Sequence, residues 1–281
     1  MNFINFMNLI NSMNLMNFFV ISIYIEWKMM KTLIEFGETG NMLIAAHRGS
    51  SGNAPENTFS AFRLAYEEGA NMIETDLQFT SDNHIVAVHD LRHFAGQDIS
   101  NIHSLDDFKK LDAGTWFHEK FKGEKIPLLE EILEFAKDKL YLNLELKVNE
   151  KPVETRQIEV LLDIIYKFGF EKHLMFSSFS QSLLKLIKSI DSSILTAVIN
   201  IPGNITIPSQ FCRETFADAF ICSYSEINDD INNDSIENNV FIGVYSVETE
   251  EQFNDVTKYN ISAIGTNYPK IIKSCLESKW K

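Results

Sequence analysis

From residue 42 to residue 266 the chain alternates short apolar runs with amphipathic stretches, and this alternation constrains the fold more than any other feature. The runs are MLIAA at 42–46, MIETDL at 72–77, LYLNLEL at 140–146, HLMFSS at 173–178, ILTAVI at 194–199, AFIC at 219–222, VFIGVYS at 240–246 and SAIGT at 262–266. Each has the length of a buried strand, and the stretches between them, such as ENTFSAFRLAYEEG, LLEEILEFAKDK, SQSLLKLIKSI and ETEEQFNDVTKY, place apolar residues at helical spacing. Eight strand-helix units in about 240 residues predict an α/β protein, a closed (β/α)8 TIM barrel rather than an open doubly wound sheet. The rhythm breaks once. After the second run comes a strand-like HIVAVH at 84–89 and then a polar stretch, dotted with aromatics, to Lys125. So long an interruption predicts a small functional insertion over the barrel mouth, at about residues 91–125.

With 39 acidic against 25 basic side chains the chain carries a net charge of −14, which excludes a general polyanion binder such as a nucleic-acid partner. Hydrophobic residues at 45%, with 22 Phe, supply a large core and exclude intrinsic disorder. Cys212, Cys222 and Cys275 have no metal-binding spacing and read as small apolar residues in a reducing compartment. Residues 1–25 are uncharged and interrupt their apolar runs with asparagine, and they lack the basic n-region of a secretory signal. Asparagines are costly in hydrocarbon, so residues 1–29 are set aside as a non-conforming extension and residues 30–281 are expected to form the barrel. The expected location is cytoplasmic. Membrane anchoring through residues 1–25 is the alternative, and oligomeric state is left open.

In Glu74-Thr75-Asp76 the two carboxylates are two residues apart and therefore share one face of a strand. If that face is the barrel interior, near the C-terminal rim where barrel enzymes build their sites, the two acids call for a cation. The third run repeats the device. Asn143, Glu145 and Lys147 alternate with Leu142, Leu144 and Leu146, so the leucines would pack on outer helices while Glu145 joins the other acids. An all-oxygen donor set suits a hard divalent cation, Mg²⁺ or Ca²⁺, rather than zinc. His47 and His89 both end strand-like runs, one followed by Arg48 and the other by Asp90, which suggests an acid/base pair with a guanidinium for phosphate close by. His84, His93, His103, His118 and His173 lack such placement and read as structural or solvated.

Residues 45–90, AAHRGSSGNAPENTFSAFRLAYEEGANMIETDLQFTSDNHIVAVHD, closely resemble the opening signature of the glycerophosphodiester phosphodiesterases, combining HRG, APENT, ExD and a strand-ending HD in order. LDAGTWFHEKFKGEKIPLLEEIL resembles that family's insertion, LNLELK its third-strand metal motif, and SSFS, VYSVET and GTNYP are weaker echoes, so the resemblance spans roughly residues 42–270. It implies a (β/α)8 barrel in which Glu74, Asp76 and Glu145 bind a divalent metal, His47 and His89 act as general acid and base, and Arg48 and Lys147 contact the substrate phosphate. Glu56 and Asn57 are expected to organise the first loop and cap the first helix. Two departures bear on substrate fit: Asn267 stands where the family usually has Asp, and Tyr245 where it commonly has Trp.

The resulting expectation is metal-dependent hydrolysis of small-molecule glycerophosphodiesters to glycerol 3-phosphate and an alcohol. A phospholipase-like lyase acting on intact phospholipid and a non-catalytic phosphodiester-binding barrel are its rivals. The acidic balance argues against the first, and retention of both histidines and all three acids against the second.

Overall fold

A computed structural model describes residues 30–94, 102–148, 152–204 and 207–279. Eight parallel strands close into a barrel: β1 (Leu43–His47), β2 (Met72–Phe79), β4 (Tyr141–Leu146), β5 (Leu174–Ser178), β6 (Thr196–Ile199), β7 (Ala219–Ser223), β8 (Phe241–Tyr245) and β9 (Ala263–Thr266). Closure comes from β1 pairing with both β2 and β9, and a short β3 (Ile85–Ala87) adds antiparallel to β2. The predicted (β/α)8 barrel is therefore the fold. β2 runs further than its apolar run, to Phe79, because Leu77, Gln78 and Phe79 pair with β3.

In chain order the helices are α1 (Leu33–Gly37), α2 (Phe59–Glu67), α3 (Leu105–Phe108), α4 (Leu129–Ala136), α5 (Thr155–Phe168), α6 (Gln181–Ile190), α7 (Pro208–Thr215), α8 (Asp229–Asn238), α9 (Glu250–Val256) and α10 (Pro269–Lys279). The longest shows how sequence becomes packing. In α5, Ile158, Leu161, Leu162 and Ile165 fall on one face and are buried against the outward leucines of β4. Each such side chain contributes roughly 1.5–3 kcal/mol by leaving water. Gly169, at φ 66°, then ends the helix in the left-handed conformation that glycine adopts without strain. Truncating Leu161 to Ala would cost about 2–5 kcal/mol, because its neighbours could close only part of the hole.

The insertion has a small core of its own, in which Phe94, Leu105, Phe108, Leu111 and Ile126 pack on Val86 and Val88. This anchors residues around the mouth next to β3. At the opposite end α1 closes the barrel floor, where Leu33 clusters with Leu43, Met72 and Tyr141. Tyr141 Oη donates to the Lys31 carbonyl at 2.8 Å, and His173 stacks on the Tyr141 ring. Among the described residues no helix is long and apolar enough to cross a membrane. The anchor considered for residues 1–25 lies outside the described residues, as does the 1–29 extension.

Candidate active site

The acids occupy adjacent strands. Parallel pairing sets Glu74 beside Asn143 and Asp76 beside Glu145, so strand alternation turns the three carboxylates inward as the sequence anticipated. All three are buried, and one oxygen from each lies within 4.8 Å of the others. Their surroundings differ. Glu74 Oε2 accepts the Arg48 amide at 2.9 Å, while its Oε1 is buried without a hydrogen-bond partner. Burial pushes the Glu74 carboxyl well above the usual range, and the neighbouring Asp76 and Glu145 charges push the same way. Burial raises Glu145 as well, with Lys147 opposing it. Burial would also raise Asp76, but Arg48 and Lys147 outweigh it and hold that carboxyl below its ordinary value.

Those two cations are held at the acids. Arg48 Nε lies 3.0 Å from Asp76 Oδ2 and its Nη1 lies 2.9 Å from Glu56, while Lys147 Nζ sits 2.8 Å from Asp76 Oδ1 and also contacts Glu145. The turn after β1 produces the first arrangement. Arg48 at φ 57° and Gly49 at φ 82° reverse the chain so that the Arg48 N–H faces Glu74. A Cβ on Gly49 would meet Ala61 at 2.7 Å, which explains the glycine of the HRG phrase by close approach to α2.

Asn57 corrects one expectation. The cap of α2 is Thr58, whose side chain accepts the Ala61 N–H, and the Asn57 side chain is turned inward instead. Its amide donates to Asp76 Oδ2 at 2.8 Å, and its carbonyl oxygen accepts from Thr75 Oγ1 at 2.7 Å. Asn57 thus fixes the orientation of Asp76 from the side opposite Lys147. Glu56, expected beside it, pairs with Arg48.

His47 and His89 line the same cavity as Glu74, Glu145, Arg48 and Lys147. Each is gripped at Nδ1. His47 Nδ1 lies 2.8 Å from Asn267 Oδ1, and His89 Nδ1 lies 2.7 Å from Asp90 Oδ2. Burial, reinforced by the Arg48 charge, lowers the His47 pKa and keeps this ring neutral near pH 7. Burial alone would raise Asp90, yet hydrogen bonds from Arg92 and His89 hold it far below its ordinary value. The sequence missed several supporting groups. Gln78 donates to the His89 carbonyl at 2.7 Å, Ser51 bonds both Asn267 and the His47 carbonyl, and Ser177 lines the cavity beside Asn143, which the alternation of the third run had already turned inward. Gln78 and Ser177 were legible only once the β2–β3 hairpin and the β4–β5 register were known.

The model of the glycerophosphoryl diester phosphodiesterase family matches residues 47–271, a stretch that contains every residue of this cluster. The chain belongs to that family. A glycerophosphodiester phosphodiesterase of Caldanaerobacter subterraneus subsp. tengcongensis is 33% identical over 237 residues, covering 82% of this chain and 96% of the relative. One from Bacillus subtilis is 28% identical over 281 residues, covering 90% and 94%. Among solved structures, an Oleispira antarctica phosphodiesterase in complex with the product sn-glycerol-3-phosphate aligns with a TM-score of 0.75 at 24% identity, over 86% of this chain and 99% of that one. A glycerophosphodiester phosphodiesterase from Agrobacterium tumefaciens gives 0.73 at 23% identity, over 83% and 100%. The likeness to these structures bears on the fold, and the family match makes the chain an enzyme of glycerophosphodiester hydrolysis.

Proposed function

We propose that the chain cleaves glycerophosphodiesters to glycerol 3-phosphate and an alcohol, using a hard divalent cation, Mg²⁺ or Ca²⁺, together with a His47/His89 proton-transfer pair. The observation that carries this reading is the set of three buried carboxylates within 4.8 Å of one another, one of whose oxygens, Glu74 Oε1, has no hydrogen-bond partner. Three oxygen donors in that state suit a hard cation, and Glu74, Asp76 and Glu145 would hold it. Such a cation supplies Lewis-acid chemistry and offsets charge on phosphoryl oxygens.

The remaining work falls to the chain's own side chains. With Asn267 Oδ1 as acceptor, His47 carries its proton on Nδ1 and leaves Nε2 as the proton acceptor. A ring kept neutral by burial and by Arg48 suits the base, which takes the proton of the attacking hydroxyl as its oxygen bonds to phosphorus. His89, oriented by Asp90, then delivers a proton to the alcohol oxygen as the P–O bond breaks. Arg48 and Lys147 face the developing negative charge on the phosphate and also hold Asp76 ionised. The product glycerol 3-phosphate agrees with the ligand named for the Oleispira antarctica protein.

The test is release of glycerol 3-phosphate from glycerophosphocholine before and after exhaustive chelation. Turnover should fall to background with chelator and return with added Mg²⁺ or Ca²⁺. Full activity after chelation would overturn the metal-dependent reading.

A further inference from the structure

Beneath the carboxylates the barrel is not filled by side chains. A cavity of about 290 Å³ runs from His47, Glu74, Glu145 and Lys147 toward α1 at the floor. In a (β/α)8 barrel the inward positions are usually branched residues that pack the interior solid. Here the register sets Gly243 beside Ala263 and Gly265 beside Ala45, so β9 and the middles of β8 and β1 leave room between Leu43 and Phe241 below and His47 and Tyr245 above. The surrounding wall is apolar, formed by Leu43, Met72, Met175, Leu195, Ile221 and Phe241. Asp218 reaches the far end, but Lys188 neutralises it at 2.7 Å.

Polar residues mark the upper edge. Ser177, 0% exposed, and Asn143, 7% exposed, both line the cavity, and neither Ser177 Oγ nor Asn143 Oδ1 has a hydrogen-bond partner. Ser177 lies level with Glu145 and Asn143 level with Met175, which marks the step where carboxylates give way to hydrocarbon.

We infer that this cavity receives an uncharged aliphatic arm of the substrate, so that the enzyme favours phosphodiesters bearing an alkyl chain over those whose two arms are both polar. The inference rests on the hydrolysis proposed above. A phosphate held among Arg48, Lys147 and the carboxylates would direct one ester arm down the barrel, past Ser177 and Asn143 to the apolar wall. A choline or ethanolamine cation there would shed its hydration with no free counter-charge among the wall residues, whereas hydrocarbon fills a space that water occupies poorly. The chain could be carried on the alcohol or on the glycerol. The chemistry of recognition is the same for both, and so is the bond broken: water oxygen joins phosphorus, the alcohol oxygen leaves and takes up a proton.

The experiment uses the full chain with Mg²⁺ and two substrate series, each kept below its micellar concentration. One is glycerophospho-n-alkanols from ethanol to octanol, with the chain on the alcohol. The other is 1-O-alkyl-glycerophosphocholines of matched length, with the chain on the glycerol. In one series kcat/KM should rise about three- to fourfold per methylene until the cavity is full. Gly243→Leu should abolish that rise. The nearest atoms a Cβ at this position meets are Ile221 Cγ1 at 3.4 Å, Ala263 Cβ at 3.8 Å and Ile221 Cγ2 at 4.0 Å, all side-chain atoms at ordinary contact distance, so the new side chain can enter the cavity without moving the backbone. The readout is the ratio of long-chain to short-chain kcat/KM. Flat profiles in both series, with glycerophosphocholine still turned over, would overturn the aliphatic pocket and leave hydrolysis intact. No turnover of any diester would instead overturn the hydrolytic reading. Should the variant fail to fold, the series on the unaltered chain still decides.

Discussion

The two halves of the barrel interior are built on opposite principles. On β2 and β4 the inward positions carry Glu74, Asp76, Asn143 and Glu145, all buried, with Lys147 just beyond. On β9 and in the middles of β8 and β1 they carry Ala263, Gly265, Gly243 and Ala45, which offer volume and no charge below His47 and Tyr245. Buried like charges are tolerated only when something offsets them, so the first half requires cations: Arg48 and Lys147 from the chain, and a metal in the proposed mechanism. Unfilled volume forfeits packing, so the second half pays in stability for room. The carboxylates of one side and His47 at the end of β1 set what reaction occurs, and the small residues below His47 set which molecule fits.

If this division is right, substitutions at the mouth, among the histidines, the carboxylates and their cations, should dominate turnover. Replacing His47 or His89 by Ala should lower kcat by roughly 10²–10⁴ with the fold retained, as for loss of a general base or acid. Steady-state kinetics paired with circular dichroism checks this, and near wild-type turnover in either variant would remove that residue from the mechanism. A smaller effect separates the acids from the lysine. Lys147→Ala should lower kcat/KM roughly 10- to 100-fold while sparing metal affinity, and Glu145→Gln should weaken metal affinity itself, which titration calorimetry measures alone. Equal loss of metal affinity in both would show that the charged half acts as one unit.

How much of this contrast was legible in the sequence depended on how local its signal is. The charged half was readable because alternation within a single run, ETD on β2 and NLELK on β4, already assigns the inward face. The small half was not, since Gly243, Gly265 and Ala45 become neighbours only when β1 pairs with β9 and β9 with β8. Asn57 was misjudged for a related reason. A polar residue near a helix start resembles a cap, and only the left-handed turn at Asn57, φ 55°, turns its amide toward Asp76 while Thr58 takes over capping. The floor helix α1 was missed because five residues carry too little periodicity to recognise.

Protonation offers a milder probe of the same half. Because the metal-free fold raises Glu74 and Glu145, protons compete with a cation for them, and apparent metal affinity should fall about tenfold per pH unit below the raised Glu74 value. For the metal-free protein the sign is opposite. Groups raised by the fold favour it below their unfolded value, about 4.3, and that contribution is lost as pH rises through the folded values, where bound metal should restore it. Calorimetric metal titrations across pH, with melting curves alongside, read both trends, and a pH-independent affinity would contradict them. The smallest effect expected is on stability. Asn57→Ala should cost about 1–3 kcal/mol by leaving buried Asp76 and Thr75 short of a partner, measurable by urea unfolding. No loss would mean that Arg48 and Lys147 hold Asp76 unaided.

The central claim is that the inward acids of β2 and β4 form a cation site. Its most direct test is titration of Mg²⁺ or Ca²⁺ into the chelator-stripped full chain and into Glu74→Gln, which removes the carboxylate whose Oε1 lacks a partner while keeping its shape. Saturable binding by the unaltered chain, weakened tenfold or more in the variant, is the result predicted. Equal affinity in the two proteins, or no binding by either, would contradict the account.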